Sequence, residues 1–132
     1  MTKNVLLVED DILVSQMYAR RLEKAGINVI LALDGIEGLE KLSAQDGSSG
    51  GGEKIDLVLL DIMMPKMNGY EMLKRVRKDP KLKNTRVIIL TNLNDSPKEI
   101  EKIKDLGIEE YILKSDITLA ELAKVVGKYL NI

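Results

Sequence analysis

Cysteine and histidine are both absent from the 132 residues. Without cysteine there are no disulfide cross-links and no thiolate nucleophile. Without histidine there is no imidazole acid–base catalysis, and without either the usual zinc ligand sets disappear. A cysteine-free chain suits a reducing compartment. An excess of one charge is also missing: 20 lysines and arginines face 21 aspartates and glutamates. No global field therefore points to nucleic acid or a membrane surface, and any electrostatic function must be local. Long apolar runs are missing too. The first is Val5, Leu6, Leu7 and Val8, which stops at Glu9, far short of the roughly 20 residues of a membrane span or a signal peptide's apolar stretch. The expected setting is the cytoplasm. The expected organisation is one domain over residues 1–132, long enough to bury a core without staples.

What is present is a regular alternation. Short apolar runs rich in β-branched residues recur at 4–8, 29–33, 57–60, 87–90 and 111–113 and predict five strands. Apolar spacing of three to four predicts five helices, over 12–25, 36–42, 70–78, 98–106 and 119–130. Gly26 and Gly107 stand where helices end, with Lys104 in the last turn of the fourth. Asp34, Ser96 and Asp116 stand where helix N-caps are expected, and Pro97 fits a first helical position. Strict β–α alternation forces parallel pairing, because each helix must cross the sheet before the next strand begins. The expected fold is α/β, a five-stranded parallel sheet with helices on both faces. The low-complexity stretch "QDGSSGGGEK" predicts a flexible loop over residues 46–54.

In such a sheet, ligands bind at the carboxyl ends of the strands. The first strand ends in Glu9, Asp10 and Asp11, the third in Asp61, the fourth in Thr91 and the fifth in Lys114. Taken singly, Asp10 or Asp11 could simply cap a helix, Thr91 could be an ordinary strand residue and Lys114 a solvated one. Taken together they concentrate charge. Two carboxylates ~4 Å apart repel by about 4 kcal/mol at an effective dielectric near 20, a large share of the roughly 5–15 kcal/mol by which a domain is stable. A divalent cation would offset this, and magnesium, which takes oxygen ligands and a phosphate, fits best. Asp61 then becomes a candidate oxygen nucleophile toward a phosphoryl donor, with Thr91 hydrogen-bonding a phosphoryl oxygen.

The segments "VLLVEDD", "LVLLDIMMPKMNGYEML", "VIILTN" and "YILKS" together resemble the receiver domain of two-component response regulators. The resemblance runs over essentially the whole chain, and "DIMMPKMNG" is its most specific block. It implies a doubly wound, flavodoxin-like (βα)5 sheet of order 2-1-3-4-5. It implies that Asp61 accepts a phosphoryl group from a sensor histidine kinase or phosphotransfer protein. It further implies that Asp10 ligates Mg2+ directly, Glu9 through water and Met63 through its backbone carbonyl, alongside Asp61. Thr91 and Tyr111 resemble the switch pair and Lys114 the phosphate-binding lysine, while Asp11 begins the first helix. A downstream protein would read the surface of the fourth helix, fifth strand and fifth helix. By this resemblance the chain is a signalling module, not an enzyme, with no nucleic acid or membrane contact of its own.

Two positions depart from the family's pattern. Ser115 follows the lysine where proline is usual; a cis bond before a non-proline residue costs about 2.5–4 kcal/mol, so the Lys114–Ser115 bond is expected to be trans. Asn92 stands where a small residue is usual. A haloacid-dehalogenase-like phosphatase would need a second aspartate two positions after the nucleophile, and Met63 is there instead. No glycine-rich cradle follows the first strand, against a nucleotide-binding domain. The remaining alternative is a pseudo-receiver that binds partners without phosphorylation. The chain ends soon after the fifth helix, and the expectation is a stand-alone receiver or a piece of a longer regulator.

Overall fold

A computed structural model describes residues 2–45, 54–92 and 95–132. In chain order the elements are β1 (Asn4–Val8), α1 (Ile12–Lys24), β2 (Asn28–Ala32), α2 (Gly35–Ser43), β3 (Leu57–Leu60), α3 (Gly69–Lys78), β4 (Val87–Thr91), α4 (Pro97–Asp105), β5 (Glu110–Leu113), a 3-10 turn (Lys114–Asp116) and α5 (Leu119–Leu130). All strands are parallel, in the order β2-β1-β3-β4-β5, as expected.

Strand side chains alternate between two faces, and the core divides accordingly. Leu6, Val8, Val58, Leu60 and Ile89 pack with Leu42 of α2, with Met72, Leu73 and Val76 of α3, and with Ile103 of α4. Val5, Leu7, Leu57, Leu59 and Ile88 pack with Tyr18 and Leu22 of α1 and with Leu122, Val126 and Leu130 of α5. β1, β3 and β4 are buried along their whole length, which is why they read as unbroken apolar runs. The chain runs outward from β1 to β2, then returns to β3 and proceeds the other way. The reversal puts the carboxyl ends of β1 and β3 side by side, and with them their acids.

Several boundaries differ from expectation. β2 begins at Asn28 and stops at Ala32, leaving Leu33 exposed. β4 reaches Thr91 and β5 starts at Glu110. Asp34 and Ser96 cap α2 and α4 through the backbone N–H of Glu37 and Glu99, and Gly26 and Gly107 take the left-handed conformation after α1 and α4. Asp116, expected as the N-cap of α5, is instead the last residue of the 3-10 turn. Thr118 caps α5, in a reciprocal box with Glu121, because the turn and an extended Ile117 intervene. No described peptide bond is cis, so Lys114–Ser115 is trans as expected. Of the loop expected at 46–54, residues 46–53 lie outside the described residues and Lys54 is exposed. No described helix is long and apolar enough to cross a membrane.

Candidate phosphoryl-accepting site

Glu9 and Asp61 are carried into the site on the sheet's own backbone. The Glu9 N–H donates to the Ala32 carbonyl at 3.0 Å and the Asp61 N–H to the Val8 carbonyl at 3.1 Å, extending the ladder one residue past each strand. The Asp11 carboxylate accepts from the Val14 N–H and caps α1, while the Asp11 N–H donates to Glu9 Oε1 at 3.1 Å. The placement of Asp11 as the start of the first helix therefore holds.

The loop after Asp61 is clamped by close approach. The Gly69 N–H donates to the Ile62 carbonyl at 2.9 Å, and a Cβ on Gly69 would lie 2.1 Å from the Asp61 carbonyl oxygen. Glycine is required here by contact with the backbone of the acidic residue itself; the left-handed conformation in this loop belongs to Lys66, at φ 64°. Asn68 then caps α3 through the Glu71 N–H, and Pro65 accepts from the Met67 N–H.

Lys114 joins the two strand ends. Its Nζ donates to Glu9 Oε2 in a very close ion pair and to Asp61 Oδ2 at 3.2 Å, with all three side chains buried. Asp61 Oδ1 accepts from the Met63 N–H at 3.3 Å. Asp10 is exposed, yet Glu9, Asp10 and Asp61 each bring a carboxylate oxygen within 4.8 Å of the others. Burial pushes the Glu9 carboxyl above its ordinary range, against the pull of the Lys114 hydrogen bond, with the charge of Asp61 adding to the rise. Burial pulls Lys114 down, but the Glu9 hydrogen bond and the field of Asp61 outweigh it, and the ammonium holds its proton more tightly than usual. Fully ionised, the three carboxylates would exceed the one ammonium by two negative charges. That deficit equals one divalent cation, and an all-oxygen donor set suits a hard one.

The remaining expected residues flank this cluster. Thr91 is fully buried at the end of β4, the strand next to β3. Tyr111, on β5, pairs in register with Ile89 of β4, and its hydroxyl donates to Asp95 Oδ2 at 2.7 Å. Met63 is 62% exposed beside Asp61; Asn92 and Ser115 are exposed. Sequence reasoning missed Asp95 and Asn68. Asn68 carried a signal, an Asn followed three residues later by Glu71 ahead of an apolar-spaced helix. Asp95 carried none, since its partner is 16 residues away.

An acidic pocket at the switch point of a 2-1-3-4-5 parallel sheet, bridged by the lysine that follows the last strand, stands where doubly wound α/β domains bind their ligands. The family described as the response regulator receiver domain matches residues 5–126, and the chain belongs to it. CrdR, a transcriptional regulatory protein of Helicobacter pylori, is 35% identical over 99% of this chain and 56% of its own length. The CpxR homologue of Haemophilus influenzae is 39% identical over 80% of this chain and 39% of its own length. The chain thus spans about half the length, or less, of these curated relatives. Among solved structures, the phosphorylated cyanobacterial phytochrome response regulator RcpA is 30% identical over 97% of this chain and 91% of its own, with a TM-score of 0.79. The CheX–CheY–BeF3–Mg complex from Borrelia burgdorferi superposes with a TM-score of 0.81 at 28% identity, over 97% of this chain and 89% of the matched one. Receiver domains are signalling modules, and this chain is one.

Proposed function

We propose that Asp61 is the phosphoacceptor of a Mg2+-dependent phosphotransfer from a sensor histidine kinase or phosphotransfer protein. The observation that carries this reading is the Lys114 bridge between Glu9 and Asp61 inside a cluster short of two positive charges. In the step, a carboxylate oxygen of Asp61 attacks the phosphorus of a phosphohistidine; the P–N bond breaks, its electron pair stays on the imidazole nitrogen, and that nitrogen takes a proton from solvent. The product is an acyl phosphate. Asp10 and Asp61 would hold the ion directly, Glu9 through water and Met63 through its carbonyl. When bound, Mg2+ neutralises the charge of the phosphoryl oxygens. Lys114, already on Asp61 Oδ2, moves its ammonium onto a phosphoryl oxygen, and the Thr91 hydroxyl donates to another.

A phosphoryl group adds about −1.5 to −2 charges. Drawing Thr91 toward it opens space for the Tyr111 ring and alters the surface of α4, β5 and α5 that a downstream protein reads. We take residues 1–132 as one receiver unit working in the cytoplasm. Incubation with Mg2+ and acetyl phosphate or phosphoramidate, read by intact-mass spectrometry, tests the reading. Wild type should gain about 80 Da and Asp61→Asn should not; a gain in neither makes the chain a partner-binding module without phosphorylation.

A further inference from the structure

We propose that the cavity at the amino ends of β3 and β4 is a second binding site, one that takes a small organic anion with an apolar body. The site is separate from the acidic pocket, since the strands are parallel and the acids follow their carboxyl ends.

The cavity encloses about 560 Å3 between the last turn of α2, the entry to β3 and the segment leading into β4. That falls within the roughly 300–1,000 Å3 of small-molecule sites, which are lined mostly by apolar side chains with a few polar groups among them. Leu42, Ile55 and Leu82 line it, and each is buried. The walls are fixed by their own hydrogen bonds. On one side Gln45 Nε2 donates to the Leu42 carbonyl at 3.0 Å and Gln45 Oε1 accepts from the Ile55 N–H at 2.9 Å, which ties the end of α2 to the chain entering β3. On the other, the Leu82 and Lys83 N–H groups donate to the Asp79 carbonyl at 3.0 and 2.8 Å, and the Thr85 N–H and hydroxyl both donate to the Leu82 carbonyl. Arg77 of α3 adds a bond from Nη1 to the Lys83 carbonyl at 3.0 Å. Walls built before a ligand arrives reduce what binding loses in ordering them.

The charged side chains of the lining decide the sign of the ligand. They are Lys54, Lys81 and Asp79. Asp79 Oδ1 already accepts from the Lys81 N–H at 2.8 Å. Lys54 gives its carbonyl to the Asn4 amide, but neither lysine ammonium enters an ion pair among the described residues. Two ammoniums against one occupied carboxylate leave the rim positive over an apolar floor. A ligand that covers Leu42, Ile55 and Leu82 with hydrocarbon and turns an anionic group toward the lysines satisfies both.

Titration of the full 15N-labelled chain with octanoate, and separately with its uncharged counterpart octanamide, tests the site by amide NMR. Octanoate should give saturable shifts at the Ile55, Leu82 and Thr85 amides and bind more tightly than octanamide. An exposed ion pair adds a modest increment, so Lys54→Gln and Lys81→Gln should each weaken octanoate binding about threefold and leave octanamide binding as in wild type. Asn84→Trp places a large ring at the exposed rim and should abolish binding of both. No saturation at those amides, equal affinity for octanoate and octanamide, octanoate binding undiminished in both lysine variants, or saturation confined to the exposed Leu13 and Met17 of α1 would overturn the proposal. Asp61→Asn should bind octanoate as wild type does, so the site and the phosphoacceptor reading stand or fall separately.

Discussion

The same strands begin and end in opposite ways. At the amino ends of β1, β2 and β3, Asn4 is the hub: its Nδ2 donates to the Lys54 carbonyl at 2.8 Å, its Oδ1 accepts from Asn28 Nδ2 at 2.9 Å, and its N–H donates to Asp56 Oδ2 at 2.8 Å. Amides supply both donors and acceptors, so this end closes on itself. At the carboxyl ends of β1 and β3, Glu9 and Asp61 share a single buried ammonium, with the Asp10 carboxylate close beside them. Among the described residues no fully buried side-chain nitrogen or oxygen lacks a partner, yet only the second end crowds three carboxylates around one ammonium. A saturated network stabilises; an electrostatic deficit stabilises only when something else arrives. The difference separates the end that holds the sheet together from the end we propose to bind metal and phosphoryl group.

The largest effect should come from breaking the clamp under the acidic end. Gly69→Ala drives a methyl against the Asp61 carbonyl and should cost about 4 kcal/mol, read as a lowered urea midpoint with loss of phosphorylation. Lys114→Met follows. It leaves Glu9 and Asp61 without their ammonium and should cost about 3 kcal/mol at neutral pH without metal, a loss that shrinks on acidification as the carboxylates take up protons.

The third outcome depends on pH. Glu9 titrates above its ordinary range, chiefly through burial. Its protonated form is therefore favoured by folding, and that contribution is present in acid and lost as pH rises through the raised value. Metal uptake needs the ionised carboxylates, so the sign reverses with Mg2+. Thermal scans should show a gain of about 2.7 kcal/mol at a hundredfold excess over Kd near neutral pH, fading as pH falls through the Glu9 transition. A gain unchanged by pH would place the ion elsewhere. The smallest effect belongs to the other end. Asn4→Ala strands the Asn28 amide and the Lys54 carbonyl and should cost about 2 kcal/mol, with Mg2+ stabilisation intact.

Much of this was legible beforehand, for reasons that vary by residue. Val58, Leu59 and Leu60 read as a strand because both faces of β3 are covered, and Asp61 stood out because an acid ended such a run. Ser96 and Gly107 were readable because caps are made within a few residues. The Asp116 cap was misplaced because the tight turn after β5 intervenes before Thr118, although Thr118 and Glu121 carried the capping-box spacing. Gly69 is required by a contact eight residues back, and no local rule reports that. Asp95 was invisible, since its partner is 16 residues distant.

By itself the sequence determined the alternation of strands and helices, their parallel pairing and the identity of the acids at strand ends, because periodicity, caps and crossover length are local properties. Only the tertiary structure decided that Lys114 spans from Glu9 to Asp61 across 105 and 53 residues, that Gly69 rests on the Asp61 backbone, and that Tyr111 holds Asp95. Those are distances across the sheet, and electrostatic and packing energies depend on separation in space, which strand order sets.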